Sequence, residues 1–436
     1  MKLVRVFNAA AFLLIGTLLL AACALTAAPT ATPDGSFAPT GEATFTAKPT
    51  AASTVGAEGT PKPIEKLNVF VRRVELPEKT DGMLLPCYIM EQSGWGYANE
   101  RGELVLGTEY SGYSKRSLWN GYMTAGYCGV HTDGMPVGEV IVNSRGETAE
   151  LADYDALSEI YEENGKYYCD EIFVEGDHDN AVYYRQGKYL FAAFFGERTM
   201  NVAADLDGNV LFVNEGELSA VEYLGEDWIL SYYYGDGAPD DRETSVKNAC
   251  FVNLITGEKT QRKDIDFIDL TFASEGRWPR VYGKYSESGE LEFGFVGMDG
   301  KDVIAPQFAY ALSFSEGCAA VRRKGEQRWI YIGLDAKPLF EQTFAVAEPF
   351  SEGLAAAGLD GKTYGYIDKT GEFVIPSVYD CTALQRFIWE AWDNERVRMF
   401  HNGYALVADA NGNRMAYVDK TGKELFHFFA SEGDYD

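Results

Sequence analysis

Phe-Ser-Glu-Gly occurs at 314–317 and again at 350–353, a period of 36 residues, inside the longer blocks FAYALSFSEGCAAVR (308–322) and FAVAEPFSEGLAAAG (344–358). Self-similarity at such a period constrains the fold more than any local propensity does. Each copy must be one supersecondary unit that buries its faces against its neighbours. Ahead of each block lies a two-strand pattern around a tight turn, FGFVGMDGKDVIAPQF at 293–308 and YGYIDKTGEFVIPSVY at 364–379. An earlier copy begins at Trp95 (WGYANERGELVL) and a late one at Met415 (MAYVDKTGKELF).

The chemistry of one copy predicts its shape. In Tyr364-Gly365-Tyr366-Ile367-Asp368 the side chains alternate across a strand. Asp368-Lys369-Thr370-Gly371 suits a short hairpin loop in which Gly371 takes a positive φ. Gly365 inside a strand marks the close approach of a neighbour, which we expect to be an aromatic ring from the adjacent copy. Pro376 is expected to stop the second strand, since it cannot donate to a ladder. Leu354-Ala355-Ala356-Ala357 reads as a small, buried third strand.

Weaker hairpins follow the same signal at Ser144-Arg145-Gly146, Leu206-Asp207-Gly208 and Ile255-Thr256-Gly257. Turn positions then fall at 102, 146, 208, 257, 300, 336, 371 and 422, or about eight units, and no long stretch has a helical apolar period. The expected fold is all-β, a repeat protein of about 7–8 antiparallel β-meander units. A closed β-propeller leaves few exposed sheet edges. An open β-solenoid is the alternative.

These segments resemble the WG-repeat family of bacterial proteins. Its unit runs as Trp/Tyr-Gly-Tyr/Phe-Ile-Asp, a Gly turn, Val-Ile-Pro, and then Phe-Ser-Glu-Gly-Leu-Ala. Tyr364 to Tyr379 and Ser351 to Ala356 follow it closely, and Phe293 to Val321 follows it well. Trp329 to Leu339 keeps the aromatic but has Ile330 for Gly and Ala336 in the turn. The resemblance covers about 293–384, with outliers at 95–106 and 415–426. It implies an interaction scaffold.

The N-terminus carries Lys2 and Arg5 and then an uncharged run from Ala9 to Ala22. That run is shorter than the roughly 20 residues a membrane-spanning helix needs, so 1–22 reads as a secretory signal. Leu20-Ala21-Ala22-Cys23 resembles a bacterial lipobox, which implies a lipid on Cys23 and an anchored protein on the extracytoplasmic side of the membrane. Residues 24–63 hold 10 Ala, 9 Thr and 6 Pro, too few large apolar side chains to offset the entropy of ordering. Residues 23–63 are therefore expected to be a disordered tether and 64–436 the repeat domain.

Formal charge is −28 for the whole chain, which makes nucleic acid and anionic lipid surfaces poor partners. Past Cys23 the cysteines at 87, 128, 169, 250, 318 and 381 show no CxxC pair. Export permits disulfides, yet buried free thiols fit the wide spacings equally well. The four histidines, at 131, 178, 401 and 427, form no HExxH pair, and there is no GxSxG elbow or phosphate loop. Asp177 and Asp179, in the acidic run from Glu175 to Asn180, are candidates for a weak ion site, although a polar loop explains them more simply. Trp389 and Trp392, in the irregular QRFIWEAWDNER segment, are candidates for an exposed binding surface. Trp95 and Trp329, at repeat positions, are expected to pack in the core.

Together these features lead us to expect no enzyme, no cofactor and no bound metal. The expected function is a membrane-anchored module that binds a protein or a cell-envelope component such as cell-wall glycan. A carbohydrate-active or ion-dependent enzyme with its site on inter-repeat loops is the second reading. A transporter-associated solute-binding lipoprotein is the third, and the repeat pattern argues against its two lobes.

Overall fold

The computed structural model describes residues 65–89, 94–108, 122–127, 138–151, 160–175, 181–194, 199–216, 218–235, 243–270, 278–381, 398–409 and 414–429. Cys23, the signal, the tether, Trp389, Trp392, Asp177 and Asp179 lie outside these residues. Among those described, every regular element is a strand, and the strands form seven hydrogen-bonded, antiparallel sheets.

Why the sheets stack is visible in how successive side chains divide. In the strand Tyr189–Phe194, Tyr189 and Phe191 join one apolar cluster while Leu190, Ala192 and Phe194 join another. The same split separates Ala319 and Val321 from Ala320, and Tyr364 and Tyr366 from Ile367. A strand apolar on both faces must be covered on both, so each sheet is sandwiched between two others.

Followed by these clusters, the described residues form nine units and not the seven or eight expected, because the third unit falls between the counted turn positions at 146 and 208. The first three are Leu85–Ile89 with Gly94–Ala98 and Leu104–Leu106, Tyr122–Tyr127 with Gly138–Asn143 and Thr148–Leu151, and Ile160–Glu163 with Lys166–Glu175. The fourth runs from Ala181 to Glu215 and the fifth from Ser219 to Arg262. One ten-stranded sheet carries the chain from the fifth through the seventh unit, because the long strand Asp302–Ala311 ends the sixth and begins the seventh. The eighth spans Val346 to Asp380 and the ninth Tyr404 to Phe429.

Each neighbouring pair shares an apolar cluster, and so do the ninth and the first. Across that closing seam the Tyr417 hydroxyl donates to Pro86 O at 2.8 Å, and the ring of Trp95 meets Phe428 edge-on at 6.0 Å. The array is thus a closed ring of face-packed sheets, a β-propeller, and not an open solenoid. The N-terminal strand Asn68–Glu75 pairs with Lys166–Glu175 and completes the third unit before the chain begins the first. Between them the chain straps the second unit, where Tyr122 donates to Pro77 O at 2.6 Å and Asn143 Nδ2 to Glu78 O at 2.9 Å.

The hairpins form as their residues predict. Asp368 Oδ1 accepts from the Thr370 amide at 2.8 Å and the Thr370 hydroxyl at 2.6 Å, and Gly371 sits at φ +85°. Asp419 repeats the pattern at 2.8 and 2.6 Å. Asp205 does the same work, accepting from the Asn209 amide at 2.8 Å.

Two local expectations are corrected. A methyl group on Gly365 would lie 2.3 Å from Ile375 O and 2.5 Å from the Pro376 carbonyl, so the close neighbour is the bulged outer strand of the same unit and not a ring of the next. Gly294 meets Ile304 O the same way, at 2.6 Å. Pro376 does not stop its strand, which runs through it from Phe373 to Asp380. An outer strand at a bulge has no need of that amide.

Candidate functional site

The recurring Ser-Glu-Gly is a latch between units. Ser315 Oγ donates to Phe350 O and Ser351 Oγ to Phe400 O, both at 2.6 Å. The Glu316 carboxylate takes the Gly353 amide at 3.1 Å and the Lys369 ammonium at 3.2 Å. One unit on, Glu352 takes the Gly403 amide at 2.9 Å and Lys420 at 3.1 Å. The motif reaches its neighbour because Glu316 and Glu352 both adopt φ +52°. These side chains are thereby committed to assembly.

Sequence reasoning missed the charges buried at the seams. Between the fifth and sixth units Arg280, 5% exposed, donates to Leu224 O at 3.3 Å. Asp269, 7% exposed, accepts from Ser313 Oγ of the seventh unit at 2.7 Å. Burial pushes the Glu222 carboxyl up to about 7, against the pull of Arg280. Burial also lowers the Arg280 guanidinium, while Asp269 and Glu222 draw it back up. A second pair, Arg398 and Glu348, spans the eighth and ninth units at 3.4 Å, with Arg398 over the Tyr364 ring and donating to Cys381 O. Neither group places a nucleophile beside a base.

Among the described residues, two recesses between units stand out. One, of about 540 Å³, is a shallow surface hollow lined by Arg185, Lys188, Tyr223, Glu226 and Asp227, with Lys188 and Asp227 paired at 2.7 Å. The other, of about 230 Å³, is a deeper cleft between the eighth and ninth units. Its walls are Val378, Val407, Ala416 and Val418, and its polar rim is Tyr379, Asp409, Arg414 and Glu424. No sequence motif announces it.

Of the residues singled out by sequence, Trp95 and Trp329 pack as repeat aromatics. Trp95 lies against Tyr88 and Phe428, and Trp329 against Tyr310 and Arg322. Cys87, Cys169, Cys250, Cys318 and Cys381 are free thiols in five different units. Burial pushes Cys87 and Cys381 up to about 11. Among the described residues no three His, Cys, Asp or Glu side chains converge as ligands of one ion. Among the described residues no helix is long and apolar enough to cross a membrane.

Fold and seams define a β-propeller of short repeats. The family described as "WG containing repeat" matches residues 293–326 and 364–380, the units with the clearest latches. Among curated proteins none matches the chain. Solved structures similar to it include BamB from Moraxella catarrhalis, at 9% identity and TM-score 0.30 over 67% of this chain and 82% of that one. AztD from Citrobacter koseri is similar at 10% identity and TM-score 0.36, over 83% and 95% of the two chains. A eukaryotic initiation factor is similar at 10% identity and TM-score 0.38, over 83% and 96%. The fold assignment rests on the seams described above.

Proposed function

We propose that this protein is a lipid-anchored, extracytoplasmic binding module, without enzymatic activity of its own, that holds a protein or envelope partner on one face of its ring. The observation that carries the reading is an asymmetry between the two ends of the sheets. Three long connections, 128–137, 235–242 and 381–397, leave the sheets at the end opposite the latches, and two more, 107–121 and 152–159, start there but rejoin the sheets at the latch end. Apart from the 76–84 strap, the latch end has one such insertion, 270–279. Connections on a rigid scaffold are where binding residues concentrate.

The chain enters the ring at the latch end, where the Leu67 amide donates to Gly208 O of a hairpin at 2.8 Å. A tether from Cys23 would therefore approach from that side and leave the insertion face toward the surroundings. Trp389 and Trp392 belong to one of the three connections, which supports their assignment as contact residues.

Anchorage is tested by feeding labelled fatty acid to cells that express the chain. Label should enter the wild-type protein and not Cys23→Ser, and equal labelling of both refutes the anchor. The binding face is tested by crosslinking in intact cells with a photoreactive residue in place of Trp389 or, separately, of Lys369 on the latch end. Adducts from position 389 and none from 369 are expected. The reverse pattern, or no adduct from either, counts against the assignment.

A further inference from the structure

Two successive seams each hold an arginine against the aromatic near the start of a third strand, and only one of them supplies its acid. Between the eighth and ninth units Arg398 lies 5.1 Å over the Tyr364 ring and meets the Glu348 carboxylate at 3.4 Å. Between the seventh and eighth the arginine is Arg322, which pairs across the sheet with Tyr310 on one side and Trp329 on the other. Those two rings meet nearly at right angles, and the Arg322 guanidinium carbon lies 4.9 Å from the first and 4.8 Å from the second. The position equivalent to Glu348, thirty-six residues earlier, is Leu312. The seventh unit therefore has the arginine without the carboxylate.

Arg322 is partly buried, and its Nε is enclosed with no hydrogen-bond partner. Its Nη1 and Nη2, which bond to no described residue, reach the surface. The chain has 66 acidic residues against 38 basic ones, and Arg73, Arg145, Arg262, Arg398 and Arg414 each meet a carboxylate. A half-desolvated guanidinium without one is the exception. The two rings offset part of its charge by cation–π attraction and leave its outer edge open. The strand that carries it, Ala319–Arg323, runs from the latch toward the insertion end, where Arg323 is exposed beside it. Arg328 pins the following hairpin to its neighbours, donating to the Thr343 hydroxyl at 2.7 Å and to Leu359 O at 3.1 Å.

We propose that Arg322, held between Tyr310 and Trp329, anchors a protein partner by taking an Asp or Glu carboxylate from an acidic segment of it. The inference rests on the reading of the insertion end as the binding face, and it names the chemistry that face selects. A planar guanidinium takes a planar carboxylate through two parallel charge-assisted hydrogen bonds, which a lysine cannot reproduce. Arg323 extends the positive surface to a second acidic side chain. The Debye length at physiological salt is about 8 Å, so these two guanidinium groups, and not the distant acidic residues, set the field that a docking segment meets.

The test is nuclear magnetic resonance of the full chain, reading the Arg322 Nε–Hε signal, which Arg322→Lys identifies by its loss. The probes are acetyl-Glu-Glu-Gly-amide, its Gln-Gln counterpart and inorganic phosphate. A saturable shift with the acidic peptide is expected, with at least tenfold weaker binding of the other two. Leu312→Glu, which installs the acid of the next seam, should weaken the acidic peptide at least tenfold with an unchanged circular dichroism spectrum. The proposal is overturned by absence of a saturable shift with the acidic peptide, by the Gln-Gln peptide or phosphate binding as tightly, or by a folded Leu312→Glu that retains affinity. The wild-type titrations decide by themselves if that variant does not fold. Crosslinking from position 389 separates the two readings. Adducts there without a peptide response overturn the role of Arg322 alone, and a peptide response without adducts upholds it while the partner face falls.

Discussion

Glu222→Gln should stabilise this protein, and only at neutral and alkaline pH. The carboxyl titrates at about 7 in the folded chain, against an ordinary 4.5, because burial penalises the charged form more than the attraction of Arg280 favours it. With the folded value raised, the native state keeps a proton that the unfolded chain has lost between pH 4.5 and 7. Stability from this group therefore falls as pH rises through that window and is lowest above pH 7. A gap of 2.5 units at 1.36 kcal/mol each amounts to about 3 kcal/mol. Glutamine is isosteric and carries no charge, so it should recover most of that at pH 8 and little at pH 4.5. Urea unfolding of both chains, followed by tryptophan fluorescence at pH 4.5, 6 and 8, gives the difference directly, since other titrating groups cancel. A difference that does not change with pH refutes the argument. So does loss of stability at pH 8, which would mean that attraction to Arg280 outweighs desolvation.

The latch, the bulge and the thiols give three further tests. Glu352→Gln removes a charge-assisted bond and should cost about 1–2 kcal/mol. Hydrogen exchange of the Gly403 amide should speed up while that of Gly353, held by Glu316, stays slow, and equal protection of both would contradict the latch. Gly365→Ala places a methyl 2.3 Å from a carbonyl oxygen and should cost several kcal/mol, whereas Gly353→Ala, with no atom within 4 Å but φ +87°, should cost about 1–2 kcal/mol. Thermal melts that rank them the other way contradict the packing. At pH 8 a thiol-specific chromogen should react with half-buried Cys250 before Cys87 or Cys381, whose thiolate fraction is on the order of 0.1%. Early modification of Cys87 or Cys381 would argue against their burial.

What was legible in the sequence is what acts within one unit or recurs at the same place in the next. Asp368 and Gly371 close a hairpin with atoms a few residues away, and Ser351 and Glu352 repeat Ser315 and Glu316 because two successive seams use the same bonds. The third unit left no such trace. Its sheet draws the strand Asn68–Glu75 from some ninety residues upstream, and the Asn164-Gly165 turn joins its other two strands. Gly365 was read correctly as a crowding signal and assigned to the wrong neighbour, since a bulge in the partner strand is invisible until pairing is known. Glu222 sits in Ala-Val-Glu-Tyr-Leu, which reads as a strand with one wet face. Only sheets packed on both faces turn that face inward. The cleft at Glu424 was hidden for a related reason, because a charged residue after a hairpin glycine is ordinary until its equivalent, Phe373, is seen filling the neighbouring seam.

The closing seam departs from the two latched seams beside it in a way that bears on how the ring finds its register. Identical latches would let any unit dock on any other, and an array built from them has no reason to stop at one partner. At the junction of the ninth and first units both latch positions differ. Asn402 stands for the glutamate and Glu100 for the lysine, and Glu100 instead takes the Met83 amide of its own unit at 2.6 Å. Aromatic packing of Trp95 on Phe428 and the Tyr417 bond to Pro86 hold the seam in place of ion pairs. A ninth unit without the latch glutamate cannot recruit a lysine-bearing hairpin in place of the first. The strap from Leu67 to Thr80 then fixes the order on the other side, since it touches the fourth, third and second units in turn and delivers the first beside the second. Closure is specified from both ends of the chain, by a seam that fits one partner and a strand that must be placed before the ring can be counted.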